Sequence, residues 1–180
     1  MTAPSSYVAL ANGAHVATKV NANGTSTTHY SLQFPCPSYL ICFAVGEFIE
    51  VDDGVCEGMP LKYFAPKGTD PKDVFRAFDK TRSMILWMTK KLGVKFPWPK
   101  YYQISAPHVR GAMENISLVT WSEMYLMDET WAKERKVCFI AGRYLILADP
   151  NLRLSALDRL CRAPRDGPLI LRRLCGYPTL

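Results

Sequence analysis

The chain has 180 residues, 48% of them hydrophobic and 21% charged, and a net charge of +6. These proportions suit a globular protein and exclude a collagen-like or low-complexity chain. The first 136 residues hold 15 basic and 13 acidic groups, and the rest hold 7 and 3. The surplus therefore sits in the tail, and no basic stripe interleaved with aromatics marks a nucleic-acid interface. The longest apolar stretch, Val137 to Ala148, has 12 residues and contains Arg143, whereas a membrane span needs about 20.

Residues 1–6 are polar and flexible rather than a charged-then-apolar leader. Six cysteines occur, Cys36, Cys42, Cys56, Cys138, Cys161 and Cys175, and none forms a C-x-x-C pair. They read as reduced, buried thiols, and the chain as cytoplasmic. His15 to Val20 alternates in polarity, residues 21–24 supply a turn, and Thr27 to Phe34 alternates again, which predicts a hairpin. Residues 39–45 are a continuous apolar run, expected as a strand buried on both faces. Asp52-Asp53-Gly54 predicts a turn, and Leu61 to Phe64 a short strand. Glu47 and Glu50 are expected to face solvent.

A single long helix is predicted from Pro71 to Leu92. Asp70 is its N-cap, Pro71 suits the first helical position, and Asp73 favours the positive end of the dipole. Val74, Phe78, Ile85, Met88 and Leu92 fall on one stripe that reads as core. Lys90 and Lys91 occupy the last turn, and Gly93 is the stop. Phe96-Pro97-Trp98-Pro99 forces an extended approach. Tyr101 to Ser105 and Ile116 to Trp121 read as strands, and Asp128 to Lys136 as a short helix or ordered loop. Beyond that, composition changes: lysine outnumbers arginine by 11 to 4 before Val137, and from there on arginine outnumbers lysine by 7 to 0. Residues 137–180 read as an atypical tail, disordered or out of frame with what precedes them.

Four blocks stand in an order that points to one family. They are Pro37 to Phe48, Tyr63 to Gly68, Gly93 to Tyr101, and Gly111-Ala112-Met113-Glu114-Asn115 ahead of the apolar run 116–121. Together they resemble the aminopeptidase N family of zinc exopeptidases, over residues 7–136. The resemblance implies an α+β fold. Residues 1–65 would end an N-terminal β-sandwich or saddle domain, and residues 66–136 would open a thermolysin-like catalytic domain. The chain would then be a fragment that stops before the family's His-Glu-x-x-His helix.

The family removes N-terminal residues from peptides, and recognition of a free N-terminus needs a fixed negative charge at the blind end of a groove. The resemblance assigns that charge to Glu114. Gly111 and Ala112 would pair with the substrate main chain as an added strand, because small residues permit close approach. Met113 and Asn115 would support the wall and fix the loop. A carboxylate about 4 Å from an ammonium contributes roughly 4 kcal/mol at intermediate dielectric, before desolvation.

Hydrolysis in the family needs zinc held by two histidines one helical turn apart and a distant glutamate, with a second glutamate to activate water. The histidines here are His15, His29 and His108, no two at that spacing. The expectation is therefore no zinc and no catalytic residue in this chain, and peptides with a free N-terminus as its partners. An alternative is a noncatalytic module that binds peptides or pairs with a full-length relative. A truncated gene product without a function of its own is a third.

Overall fold

The computed structural model describes residues 1–130 apart from Phe34 and Met127. The polypeptide starts with β1 (Thr2–Pro4), β2 (Val8–Ala11), β3 (Ala14–Val20) and β4 (Thr25–Ser31). β3 and β4 form the hairpin that alternation predicts. Asn21 Nδ2 donates to the hydroxyls of Thr25 at 2.9 Å and Thr27 at 3.1 Å, which fastens the turn. β1 adds to the far side of β4, giving the order β1-β4-β3.

β5 (Phe43–Gly46) pairs antiparallel with β2. The expectation of a doubly buried strand over residues 39–45 is corrected on both counts. Ser38–Leu40 is a 3-10 turn, and Tyr39, Ile41, Phe43 and Val45 are 67%, 56%, 73% and 42% exposed. Only the alternate residues Cys42 and Ala44 pack inward, against the cluster of Leu10, Phe64, Tyr102, Ile104 and Leu118. A continuous apolar run does not reveal how many layers cover it, and among the described residues one face of this strand has a single layer beneath it.

β6 (Phe48–Cys56) and β7 (Met59–Pro66) make a long hairpin. The predicted turn at residues 52–54 lies inside β6, as a bulge where the register shifts between Asp52 and Val55. Gly54 has φ 73°, and its N–H donates to Asp52 Oδ1 at 2.7 Å. The reversal comes at Glu57 and Gly58, with φ of 53° and 84°, the positive pair that a tight hairpin turn requires. Asp-Gly serves a bulge as well as a turn, so the dipeptide alone does not distinguish them. Glu47 and Glu50 are exposed, and they pair with Lys67 at 3.0 Å and Lys62 at 2.5 Å.

The predicted long helix is two helices, α1 (Pro71–Phe78) and α2 (Thr81–Leu92). Asp70 caps α1 by accepting from Lys72 N at 2.8 Å, and Gly93 ends α2 in the left-handed region at φ 70°. At Lys80 ψ closes to −7° and the axis breaks. The break serves packing: Val74, Ala77 and Phe78 of α1 and Thr81, Ile85 and Met88 of α2 all stay buried. Leu92, at the end of the predicted stripe, is 37% exposed. No helix among the described residues is long and apolar enough to cross a membrane.

β8 (Tyr101–Ala106), β9 (Ala112–Met113) and β10 (Leu118–Ser122) complete a five-stranded sheet in the order β6-β7-β8-β10-β9. β7, β8 and β10 are parallel, with β6 and β9 antiparallel at the two edges. The helices cover one face through Tyr63, Val74, Phe78, Ile85, Tyr101, Val119 and Trp121. The β2–β5 pair covers the other through Leu10 and the cluster around Phe64 and Tyr102. The architecture is α+β, β-rich at the start and helix-backed afterwards. The boundary expected between residues 65 and 66 falls within β7, so the sheet draws strands from both sides of it. The atypical tail, and most of the element expected at 128–136, lie outside the described residues.

Candidate peptide-binding edge

The five residues Gly111 to Asn115 lie at the end of the sheet, where β9 is the last strand in the order among the described residues. Gly111 turns the chain into it with φ 74°, and its carbonyl accepts from Ser122 N at 2.8 Å. A Cβ at Gly111 would meet nothing within 4 Å. Glycine is therefore used here for its backbone angle, and among the described residues nothing crowds it. Ala112 stands opposite Trp121 and Met113 opposite Thr120.

Behind β9 the support is buried and polar. Thr120 Oγ1 donates to Asn115 Oδ1 at 3.0 Å, and Asn115 is buried. Trp121 is buried against Phe78, with ring centroids 6.0 Å apart, and meets Tyr125 edge-on at 5.5 Å. Its Nε1–H donates to Gln103 Oε1 at 3.1 Å, and Gln103 Nε2 donates to Thr81 Oγ1 at 2.8 Å. A fully buried amide thus spends both its donor and its acceptor in locking the indole behind the edge strand. Glu114 is half-buried, and its charge helps raise the pKa of the Tyr101 hydroxyl, after burial and the Tyr63 hydroxyl. The carboxylate therefore stands within electrostatic reach of the sheet's buried face.

Residues 116 and 117, directly after the motif, are tied to the start of the chain. Asn12 Nδ2 donates to Ile116 O, Gly13 N donates to Ser117 Oγ at 2.8 Å, and Ile116 N donates to Leu40 O at 3.3 Å. Ser117 is held at φ 59°, an uncommon angle for a residue other than glycine. Its carbonyl accepts from Tyr102 N at 3.0 Å. Periodicity did not single out Asn12, Gly13, Lys100 or Gln103. The Asn12-Gly13 dipeptide was the available signal, since Asn-Gly marks a tight reversal.

His15 and His29 lie exposed on the β3–β4 hairpin, and His108 lies exposed in the loop before the motif at φ 63°. They do not converge, and among the described residues no group of three His, Cys, Asp or Glu lies close enough to hold a metal ion. These residues do not fit the family's zinc. Residues 137–148, which hold no histidine and no carboxylate, lie outside the described residues.

The Peptidase family M1 domain matches residues 76–140. Aminopeptidase N of Lactobacillus helveticus is 33% identical over 134 residues, covering 72% of this chain and 15% of that protein. Glutamyl aminopeptidase of Mus musculus is 29% identical over 126 residues, covering 69% and 13%. Aminopeptidase M1 of Arabidopsis thaliana is 30% identical over 125 residues, covering 69% and 14%. The chain thus spans about a seventh of the length of these relatives. Carrying the motif at a sheet edge and aligning with aminopeptidases across most of its length, the chain belongs to the aminopeptidase N family.

Proposed function

We propose that the β9 edge captures the free N-terminus of a peptide without cleaving it. The supporting observation is the position of Ala112 and Met113 on the last strand of a mixed sheet, flanked by Gly111 and Glu114, with no described residue within 4 Å of where a Cβ on Gly111 would stand. An extended peptide can add to such an edge through main-chain hydrogen bonds. The half-buried Glu114 carboxylate then meets the peptide's ammonium in a partly desolvated place, where an ion pair is stronger than in water. Cleavage in the family needs two zinc-binding histidines one helical turn apart, and no two of the chain's histidines have that spacing. A cytoplasmic site of action belongs to the same proposal, and the free thiols of Cys36, Cys42 and Cys56 support it.

The test is titration of the full chain with a free-amine peptide, its N-acetylated form, and the free-amine peptide against Glu114→Gln. Acetylation and the substitution are each expected to weaken binding by about tenfold or more, the share of the Coulomb term left after desolvation. No N-terminal residue is released. Equal affinity for both peptides would sink the proposal.

A second reading, pairing with a full-length relative, is favoured by the apolar stripe of Tyr39, Ile41, Phe43 and Val45 on β5 and the turn before it. It predicts association with the relative that is insensitive to acetylated or free peptide and is lost on Phe43→Ser.

A further inference from the structure

The three residues Ala11, Asn12 and Gly13 lie 104 positions ahead of the segment that follows the motif, yet each is fastened to the motif's supports. Lys100 Nζ, at the entrance to β8, donates to Ala11 O at 2.5 Å. The Asn12 side chain spends every polar atom on backbone. Its Nδ2 donates to Ile116 O and to Leu40 O at 3.3 Å, and its Oδ1 accepts from Cys42 N at 2.5 Å. Gly13 N donates to Ser117 Oγ. Asn12 is 6% exposed, so water does not replace these partners when they are lost.

We infer that Asn12 is the positioning residue of the peptide N-terminus subsite, acting through Ile116 on Glu114 and Asn115. The inference rests on the reading of Gly111–Asn115 as that subsite. Ile116 follows Asn115 directly and has both its N–H and its C=O engaged, by Leu40 O and Asn12 Nδ2. Ser117, in its left-handed conformation, is held on the side chain by Gly13 and on the carbonyl by Tyr102. A chain pinned at both residues after the motif has little freedom two residues earlier, where the Glu114 carboxylate must be aimed. Thr120 holds Asn115 from the sheet side. Asn12, from the N-terminal strands, holds the next residue, Ile116. The short N-terminal strands thereby become part of the binding apparatus rather than a neighbouring layer.

The experiment compares Asn12→Ala and the isosteric Asn12→Asp with the unmodified full chain. Asn12→Asp keeps the acceptor for Cys42 N and removes the donor to Ile116 O and Leu40 O. Amide hydrogen exchange is read at Ile116 and Tyr102, with the β6–β7 hairpin as internal reference, and peptide affinity is read in parallel. In Asn12→Asp, exchange at Ile116 and Tyr102 is expected to rise about tenfold or more while the hairpin is unchanged. Affinity for the free-amine peptide is expected to fall about tenfold, towards that of the acetylated one. Unchanged exchange at both amides, or an equal rise in the hairpin, overturns the inference. If the unmodified chain fails to distinguish the two peptides, the subsite reading falls, and the exchange result still decides whether Asn12 holds the loop. Should Asn12→Ala unfold, Asn12→Asp decides alone.

Discussion

Gly13→Ala is expected to lower the stability of the chain by about 3 kcal/mol or more, measured by urea unfolding of the full protein. Two costs combine. The residue sits at φ 80°, where a side chain is strained. A Cβ there would also overlap the Ser31 carbonyl and lie 2.7 Å from Leu32 N. Both obstacles are backbone, in β4 and just beyond it, so relief requires moving the hairpin away from the loop that Gly13 fastens to Ser117. Gly58→Ala is the control. Its φ is 84°, but a Cβ there meets nothing within 4 Å, so only the conformational cost of about 1 kcal/mol is expected. Equal losses in the two variants would show that Ser31 yields freely, and that the loop is held less tightly than the contacts indicate.

A rise in stability between about pH 6 and pH 8.5, of about 2 kcal/mol, is expected from Lys100 alone. The side chain is 2% exposed and its pKa is lowered from 10.5 to about 7, because burial penalises the ammonium. Around it lie the Ala11 carbonyl, the rings of Tyr30 at 4.0 Å and Tyr102 at 4.6 Å, and the Cys42 thiol. Glu50 acts on both tyrosines and Lys62 acts on Tyr102. The carbonyl and the rings favour the charged amine, and burial outweighs them. Between the folded and unfolded values the unfolded chain carries a proton that the folded chain lacks. Stability therefore climbs as pH rises through about 7, by at most about 1.4 kcal/mol per pH unit. Burial raises the pKa of Cys42 and Cys56, which takes stability away again above the ordinary thiol range, so the window closes there. In Lys100→Met this part of the slope is expected to vanish, even though the Ala11 carbonyl loses its donor. A slope that survives the substitution would assign the pH dependence to other groups.

Both effects meet at the seam between the N-terminal strands and the mixed sheet. Ala11 to Gly13 form one side of it, and Lys100, Tyr102 and Ile116 to Ser117 the other. The seam ties the residues that follow the motif to the start of the chain. The partners of Asn115 to Ser117 are residues close in space that span much of the described chain.

What could be read from the sequence was the local chemistry. Asp70-Pro71 and Gly93 marked the helix ends, because capping is decided by neighbouring residues. The β3–β4 hairpin and the strand at 101–105 followed from alternation and apolar runs, whereas the strand expected at 116–121 begins only at Leu118, because Ser117 stands in the left-handed region. The break at Asp79–Lys80 was not legible, since the stripe continues through it and only the fit to the sheet requires a change of direction. The bulge at Gly54 looked like a turn for a similar reason: the dipeptide states a backbone angle, and the partner strand decides its use. At the site, the five motif residues could be named from resemblance, while their supports could not. Asn12 and Gln103 carry meaning only through partners 104 and 18 residues away, and no period in the sequence links them.

The most direct measurement is a backbone amide spectrum of the labelled full chain, recorded with a free-amine tripeptide and then with its acetylated form. The account predicts that the free-amine peptide shifts the amides of residues 111–113 and of Glu114, and that acetylation abolishes most of the change. Shifts confined to other edges, such as β3 or β6, or an identical pattern with both peptides, would contradict it.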